Sequence, residues 1–298
     1  VTAPRSGGVL AVDKPSGPSS RAVVNRAVAR LGLRRVGHAG TLDPLAEGLL
    51  ILAWGRATGL IPYLQEYPKT YVADVRFGRE TDSQDRTGRV VAECDASHLD
   101  RAAVEAGLDA FRGAIRQTPP MFSALKHGGR RLYRMARRGE TVAVAPRECR
   151  VDRFALLDWT PPVARFEIVC SKGTYVRTLA HDLGRSLGTG ACLEALARTA
   201  IGPYRREDAV PADALDTLSA ADLAARSVDP GQALPDWPGL RVGPDEARAV
   251  GNGAWKGEVT RTEPGRRYRV LDESGRLLAL ARGGDPPELL RVFAESGA

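Results

Sequence analysis

The 298-residue chain has no apolar run long enough to cross a membrane. Its longest, Leu49–Trp54, falls far short of the roughly 20 residues that a spanning helix needs. The first residues, Val1–Gly8, lack the apolar core of a secretory signal, so the cytoplasm is the expected compartment. Cysteine is scarce: Cys94, Cys149, Cys170 and Cys192 are scattered, and no pair stands as C-x-x-C. The four histidines do not join them at zinc-finger spacing, so no metal site is expected, and scattered thiols suit a reducing compartment. There is no internal repeat and no low-complexity tract. A hydrophobic content of 43% excludes a disordered chain and supports one large plus one small domain.

What is present is positive charge, and it is local. The net charge is +7, and between Lys126 and Arg153 nine Lys/Arg face three acids, which places +6 of that surplus in under a tenth of the chain. A polyanionic partner is the natural reading, although a charge run alone can be a solvated face. Gly8–Val12 reads as a buried strand, followed by an N-cap at Ser19 or Ser20 and a helix closed by Gly32. Leu49–Trp54 reads as a central strand, Ala57–Gln65 and Leu99–Phe111 as helices, and Thr70–Phe77 as a half-buried alternating strand. Strands at Val151–Asp158 and Arg165–Ser171 precede a helix over Thr174–Leu187. Strands and helices intermingle without regular βαβ spacing, so the expected class is α+β with a mixed sheet. A Pro/Gly-rich joint at Asp229–Gly239 predicts a division into residues 1–230 and 238–298, the second a small β-barrel of short strands and glycine turns.

The segment Arg35–Leu50, RVGHAGTLDPLAEGLL, is the most informative. Gly37, Gly40 and Gly48 bracket His38 and Asp43, and glycine lets backbone approach a ligand closely. Asp43 could be a functional acid at the rim of a sheet. Followed by Pro44, it also reads as an ordinary turn cap.

GHAGTLDPLAEGLL resembles the signature of the TruB family of tRNA pseudouridine synthases, G-H-x-G-x-L-D-P-x-A-x-G. Further segments are similar to the family's motifs in the same order: DKPSGPSS from Asp13, PKTYVADVRFGRETDSQDRTG from Pro68, PPMFSALKHGGRRLYRMARRGE from Pro119, CSKGTYVRTLAHDLG from Cys170 and GACLEALARTAIGPY from Gly190. The resemblance covers residues 8–210, and the C-terminal stretch looks like the family's PUA domain. It implies a pseudouridine-synthase-like mixed sheet with flanking helices, and conversion of a T-loop uridine of tRNA (uridine-55) to pseudouridine without a cofactor. Asp43 would be the catalytic carboxylate, acting at the anomeric carbon or at carbon 6 of uracil. Arg177 would be its cation, and Tyr71 the active-site aromatic residue. His38 would fill the gap left by a flipped nucleotide, Leu196 would line the uracil pocket, and Lys14 and Asp85 would be positioning residues. Without the resemblance, Tyr71 and Leu196 read as core and Arg177 as a helix-surface charge.

The segment around 118–150 resembles the family's RNA-gripping insertion. Arg130–Arg138 reads as a basic helix flanked by Gly128, Gly129 and Gly139, with Lys126, Arg130, Arg131, Arg134 and Arg138 as phosphate contacts. Ala39 and Glu47 stand where the family more often has threonine, and Glu47 adds an acid near an RNA pocket. The implied partner is the tRNA T arm, engaged by a monomer with no protein partner. Two alternatives remain open: a guide-RNA-dependent synthase, and an RNA-binding or tRNA-folding protein with secondary catalysis.

Overall fold

The computed structural model describes residues 7–31, 35–123, 125–255 and 262–293, and leaves out the side chains of residues 126 and 220. Gly32, the expected helix stop, lies outside the described residues.

A mixed sheet of ten strands organises the chain. Its path runs Val210–Pro211, Gly7–Lys14, Glu47–Gly55, Ala191–Ile201, Lys69–Phe77, Val163–Cys170, Arg147–Thr160 and Gly113–Gln117, with Val36–His38 and Tyr204–Arg205 attached at its flanks. Glu47–Gly55 and Ala191–Ile201 are parallel, and most other pairs are antiparallel. The class is α+β with a mixed sheet, as the pattern predicts.

The unbroken apolar run at 49–54 has a simple cause. Leu49, Ile51 and Ala53 enter one buried cluster, while Leu50, Leu52 and Trp54 enter another beneath the helix Ser20–Leu31. A strand covered on both faces has no polar side to show. Lys69–Phe77 differs: Tyr71, Ala73, Val75 and Phe77 are buried with Leu179, Ala180 and Leu183 of the helix Val176–Ser186, and the alternate residues are half-buried. Ser19 caps the first helix by accepting from Ala22 N–H at 3.1 Å. Ser20 instead exchanges two hydrogen bonds of 2.8 Å with the Leu42 backbone, tying that helix to the loop that carries Asp43.

At the C-terminal end, Gly239–Arg241, Arg267–Leu271, Leu277–Arg282 and Glu288–Val292 form a four-stranded sheet with the helix Pro244–Gly251. Its strand path is open, and no closed barrel is found among the described residues. Leu271, Leu277, Leu280 and Phe293 are buried in the same cluster as Ile51, Leu60 and Leu64. Ala233 and Leu234, inside the Pro/Gly-rich segment, are buried there too. Tyr63 meets Trp237 edge-on at 5.5 Å between ring centroids.

The basic segment departs from the expected helix. Lys126–His127 and Arg130–Arg131 form a two-stranded hairpin, and the helix is confined to Leu132–Ala136. Gly128 and Gly129 both take positive φ in the hairpin turn, and Gly139, again at positive φ, follows the helix. Leu132 and Met135 anchor the short helix inward, leaving Arg134 and the following Arg137 and Arg138 exposed.

Candidate active site

Asp43 sits on the turn between Val36–His38 and Glu47–Gly55, with its carbonyl accepting from Ala46 N–H. Two glycines shape that turn. Gly40 has φ 111°, and Gly48 has φ 100° with so little room that a Cβ would lie 2.3 Å from the Arg198 carbonyl oxygen. Among the described residues no backbone N–H of the turn donates to the Asp43 carboxylate. It pairs instead with Arg177, Nε to Oδ2, at 2.9 Å.

Arg177 is not a surface charge. Its side chain is 4% exposed, against 39% for that of Asp43. Its Nη1 donates to the Ser83 carbonyl and its Nη2 to the Phe122 carbonyl, both at 2.8 Å. The guanidinium fork therefore does not clasp Asp43 with two parallel bonds; it meets the carboxylate as an ion pair through Nε and spends its Nη donors on the two carbonyls. Asp85 stands behind it, with Oδ2 3.7 Å from Arg177 Nε. The other oxygen of Asp85 accepts from Ser83 Oγ, Thr87 N and Thr87 Oγ1. That loop holds its own shape and supplies the Ser83 carbonyl.

Asp43 lies at the junction of two cavities. One, of about 540 Å³, is lined by Tyr71, Leu196, Lys69, Arg198 and Arg177. The other, of about 780 Å³, is lined by His38, Ser19, Arg21, Arg131, Tyr133 and Arg137. Both include Asp43. The first suits a flat base, with an aromatic face and an apolar wall. The second opens among cations, as a nucleic-acid backbone requires.

Burial pushes the Tyr71 phenol up, although Arg198 beside it pulls the other way, so it keeps its proton. Burial and the Arg198 charge push the His38 imidazole down. It is neutral near pH 7, which suits a stacking wedge. Lys14 Nζ donates to the Pro15 and Pro18 carbonyls, each at 2.8 Å, and bends the chain before the first helix. Burial lowers its ammonium to about 8. Lys14 lines neither cavity beside Asp43 and acts on the turn. Glu47 adds no loose charge: Arg206 Nη1 donates to it at 2.8 Å while Arg206 Nε reaches Asp13 at 3.0 Å.

The family's N-terminal domain, described as TruB family pseudouridylate synthase, matches residues 28–176. The tRNA pseudouridylate synthase B C-terminal domain matches residues 177–230. A tRNA pseudouridine synthase B from Syntrophotalea carbinolica is 39% identical over 98% of this chain and 99% of that protein. One from Thermobifida fusca is 41% identical over 97% and 99%. The chain belongs to the TruB family. Among solved structures, a chain of an archaeal box H/ACA sRNP Nop10–Cbf5 complex superposes with TM-score 0.71 over 96% of this chain and 86% of that one, at 23% identity. At that identity the likeness concerns the fold alone.

In this TruB-family chain the structure brings Asp43, Tyr71, Arg177, His38, Asp85 and Leu196 around one carboxylate. The expected phosphate contacts divide. Arg131 borders both the larger cavity and a separate hollow of about 350 Å³, which Arg130, Arg134 and Arg138 line with Gly129 and Met135, and Arg130 is paired with Glu140 at 2.9 Å. The Lys126 side chain lies outside the described residues. Four lining residues escape a reading of the sequence: Tyr133, whose ring lies 6.0 and 5.9 Å from the Arg134 and Arg137 guanidiniums, Arg137 itself, Lys69 and Arg198. Lys69 carries a signal, because it stands two residues before Tyr71 and so on the same strand face.

Proposed function

We propose that this chain isomerises uridine-55 in the tRNA T loop to pseudouridine, with Asp43 as the catalytic carboxylate. The observation that carries this reading is the placement of Asp43, held by a buried guanidinium at the mouth shared by a base-sized cavity and a cation-lined one. The bond from uracil N1 to the ribose breaks, the base turns, and carbon 5 joins the same anomeric carbon with loss of its proton. N1, which kept the bonding pair, takes up a proton from water as carbon 5 gives one up, so product and substrate have the same composition and no cofactor is required. Asp43 acts on the electron-poor carbon, either the anomeric one or carbon 6 of the ring. Arg177 orients it, and Asp85 and the Ser83 carbonyl hold Arg177 in place. Tyr71 and Leu196 receive the flipped base, and neutral His38 fills the space it vacates.

The hairpin and short helix of 126–136 grip phosphates. The C-terminal unit, 238–298, is a PUA-like module that adds RNA contacts to the catalytic unit of 1–230. The enzyme works as a cytoplasmic monomer on tRNA alone. The test is an unmodified tRNA transcript labelled with tritium at carbon 5 of uridine, incubated with the purified protein and nothing else. Stoichiometric tritium release is expected, abolished when uridine-55 is replaced by cytidine. Absence of release unless a guide RNA is supplied would replace this reading with the guide-dependent one.

A further inference from the structure

Two buried cations in the base cavity play no part in the chemistry assigned so far. Lys69 is 5% exposed and Arg198 1%, and both line the cavity that holds Tyr71 and Leu196. Neither forms an ion pair with a carboxylate among the described residues. Lys69 Nζ donates to the carbonyls of Gln65, at the end of the helix Ile61–Leu64, and Tyr67. Two of its three N–H donors are thereby used and one remains. Its neighbour Cys170 is no counter-ion, since burial pushes that thiol up to about 12. Arg198 donates to the carbonyls of Leu49 at 2.8 Å, Gly40 at 3.0 Å and Thr41 at 3.4 Å, and stands opposite Tyr71 in the strand register.

Backbone carbonyls explain how these charges are tolerated, and Lys69 also caps a helix end. They do not explain why two cations with no ion-pair partner among the described residues border a cavity built for a neutral base, where charge without a partner is costly. The proposed reaction supplies the missing anion. When N1 leaves the anomeric carbon it keeps the bonding pair, and the ring spreads that charge onto its two oxygens. Should the carboxylate add to carbon 6 instead, the charge moves onto carbon 5 and its neighbouring oxygen. Either route makes the base an anion, until carbon 5 bonds to the ribose and gives up its proton. We propose that Lys69, together with Arg198 acting through Tyr71, forms an anion-receiving wall that takes up the negative charge developing on the uracil ring. Lys69 is then a catalytic residue and Arg198 a positioning one. Preorganised donors aimed at developing charge are an effective catalytic device because they need no reorganisation as the charge appears.

The inference rests on the proposed reaction, so its test reads binding and not turnover. The probe is 5-nitrouracil, an anion at neutral pH, added to the complex of the protein with a T-stem-loop RNA whose target nucleotide is abasic. Thymine, neutral and similar in shape, is the reference. The wild type should prefer 5-nitrouracil on the order of tenfold, the worth of one charge-assisted hydrogen bond. Lys69→Met and Tyr71→Phe should lose most of that preference, and Lys69→Arg should keep it. The charged and titratable groups acting on Lys69 are Arg198 on the adjoining strand, Cys170 and Lys172; Asp43 and Glu148 line the same cavity without pairing with it, and burial lowers the Lys69 ammonium to about 8. The wild-type preference should therefore decline as the pH rises through about 8, a measurement that needs no variant. No preference in the wild type, or one indifferent to both pH and Lys69→Met, would overturn the proposal. A wild type that shows the preference yet releases no tritium from uridine would remove the reaction and leave the anion site.

Discussion

Arg177 divides its guanidinium between two carbonyls and one carboxylate, and that division sets what each nitrogen can do. Nε forms the ion pair with Asp43 while Nη1 and Nη2 donate to the carbonyls of Ser83 and Phe122, so the contact with Asp43 is fixed by backbone on both sides. Lysine at this position keeps the charge but cannot reach all three acceptors from one nitrogen. Arg177→Lys should lower the single-turnover rate by about 10²- to 10³-fold while leaving tRNA affinity within a few-fold, as measured by tritium release and filter binding. A rate near wild type would mean that the charge alone matters. At this scale Asp43 and Arg177 were legible only through the motifs around them. Asp43-Pro44 fits a turn cap equally well, and the structure departs from that reading because the carboxylate points to Arg177. Arg198 was not legible. Its strand, Ala191–Ile201, carries register shifts at Leu193/Ala195 and Arg198/Ala200, which break the period-two pattern by which a strand is recognised.

Among the elements, the basic segment shows how composition and shape can part. Its charge was plain from the sequence, but its form was not. A helix over Arg130–Arg138 would need the chain to continue regularly from Gly129. The hairpin turn instead places Gly128 and Gly129 at positive φ and delays the helix to Leu132. As a result Arg131 and Arg137 reach the cavity beside Asp43, while Arg134 and Arg138 line only the smaller hollow, which Arg131 also borders. Replacing Arg131 and Arg137 together by alanine should reduce tRNA affinity and flatten its log–log salt dependence by about 0.7–0.9 for each phosphate no longer neutralised. The double variant of Arg134 and Arg138 should flatten it less. Equal slopes for the two pairs would show that which cavity an arginine faces is irrelevant. The strand Lys69–Phe77 was legible for the opposite reason, since one buried face alternates cleanly with one half-buried face.

For the whole molecule, the Pro/Gly-rich run at Asp229–Gly239 looks like a linker in sequence, yet Ala233 and Leu234 are packed beside Leu271, Leu277, Leu280 and Phe293 against Leu60 and Leu64. Proline and glycine mark turns, and a turn can be buried as readily as exposed; only tertiary packing distinguishes the two. Truncation after Asp229 strips that cluster of five or more large side chains. The shortened chain should melt at least about 10 °C lower by circular dichroism, each buried leucine or phenylalanine being worth roughly 1.5–3 kcal/mol. An unchanged midpoint would show that the C-terminal sheet contributes no stability to the rest. The proposed reaction comes down to one carboxylate, and Asp43→Asn tests it most directly. Asparagine has the same shape, keeps a hydrogen-bond acceptor and would serve a turn equally well, but it carries no charge and is a poor nucleophile. Affinity for tRNA, spread over phosphates and the shape of the T arm, should stay within a few-fold. Tritium release from carbon 5 of uridine should fall by something on the order of 10⁴-fold. Release by Asp43→Asn at a tenth of the wild-type rate would contradict the account.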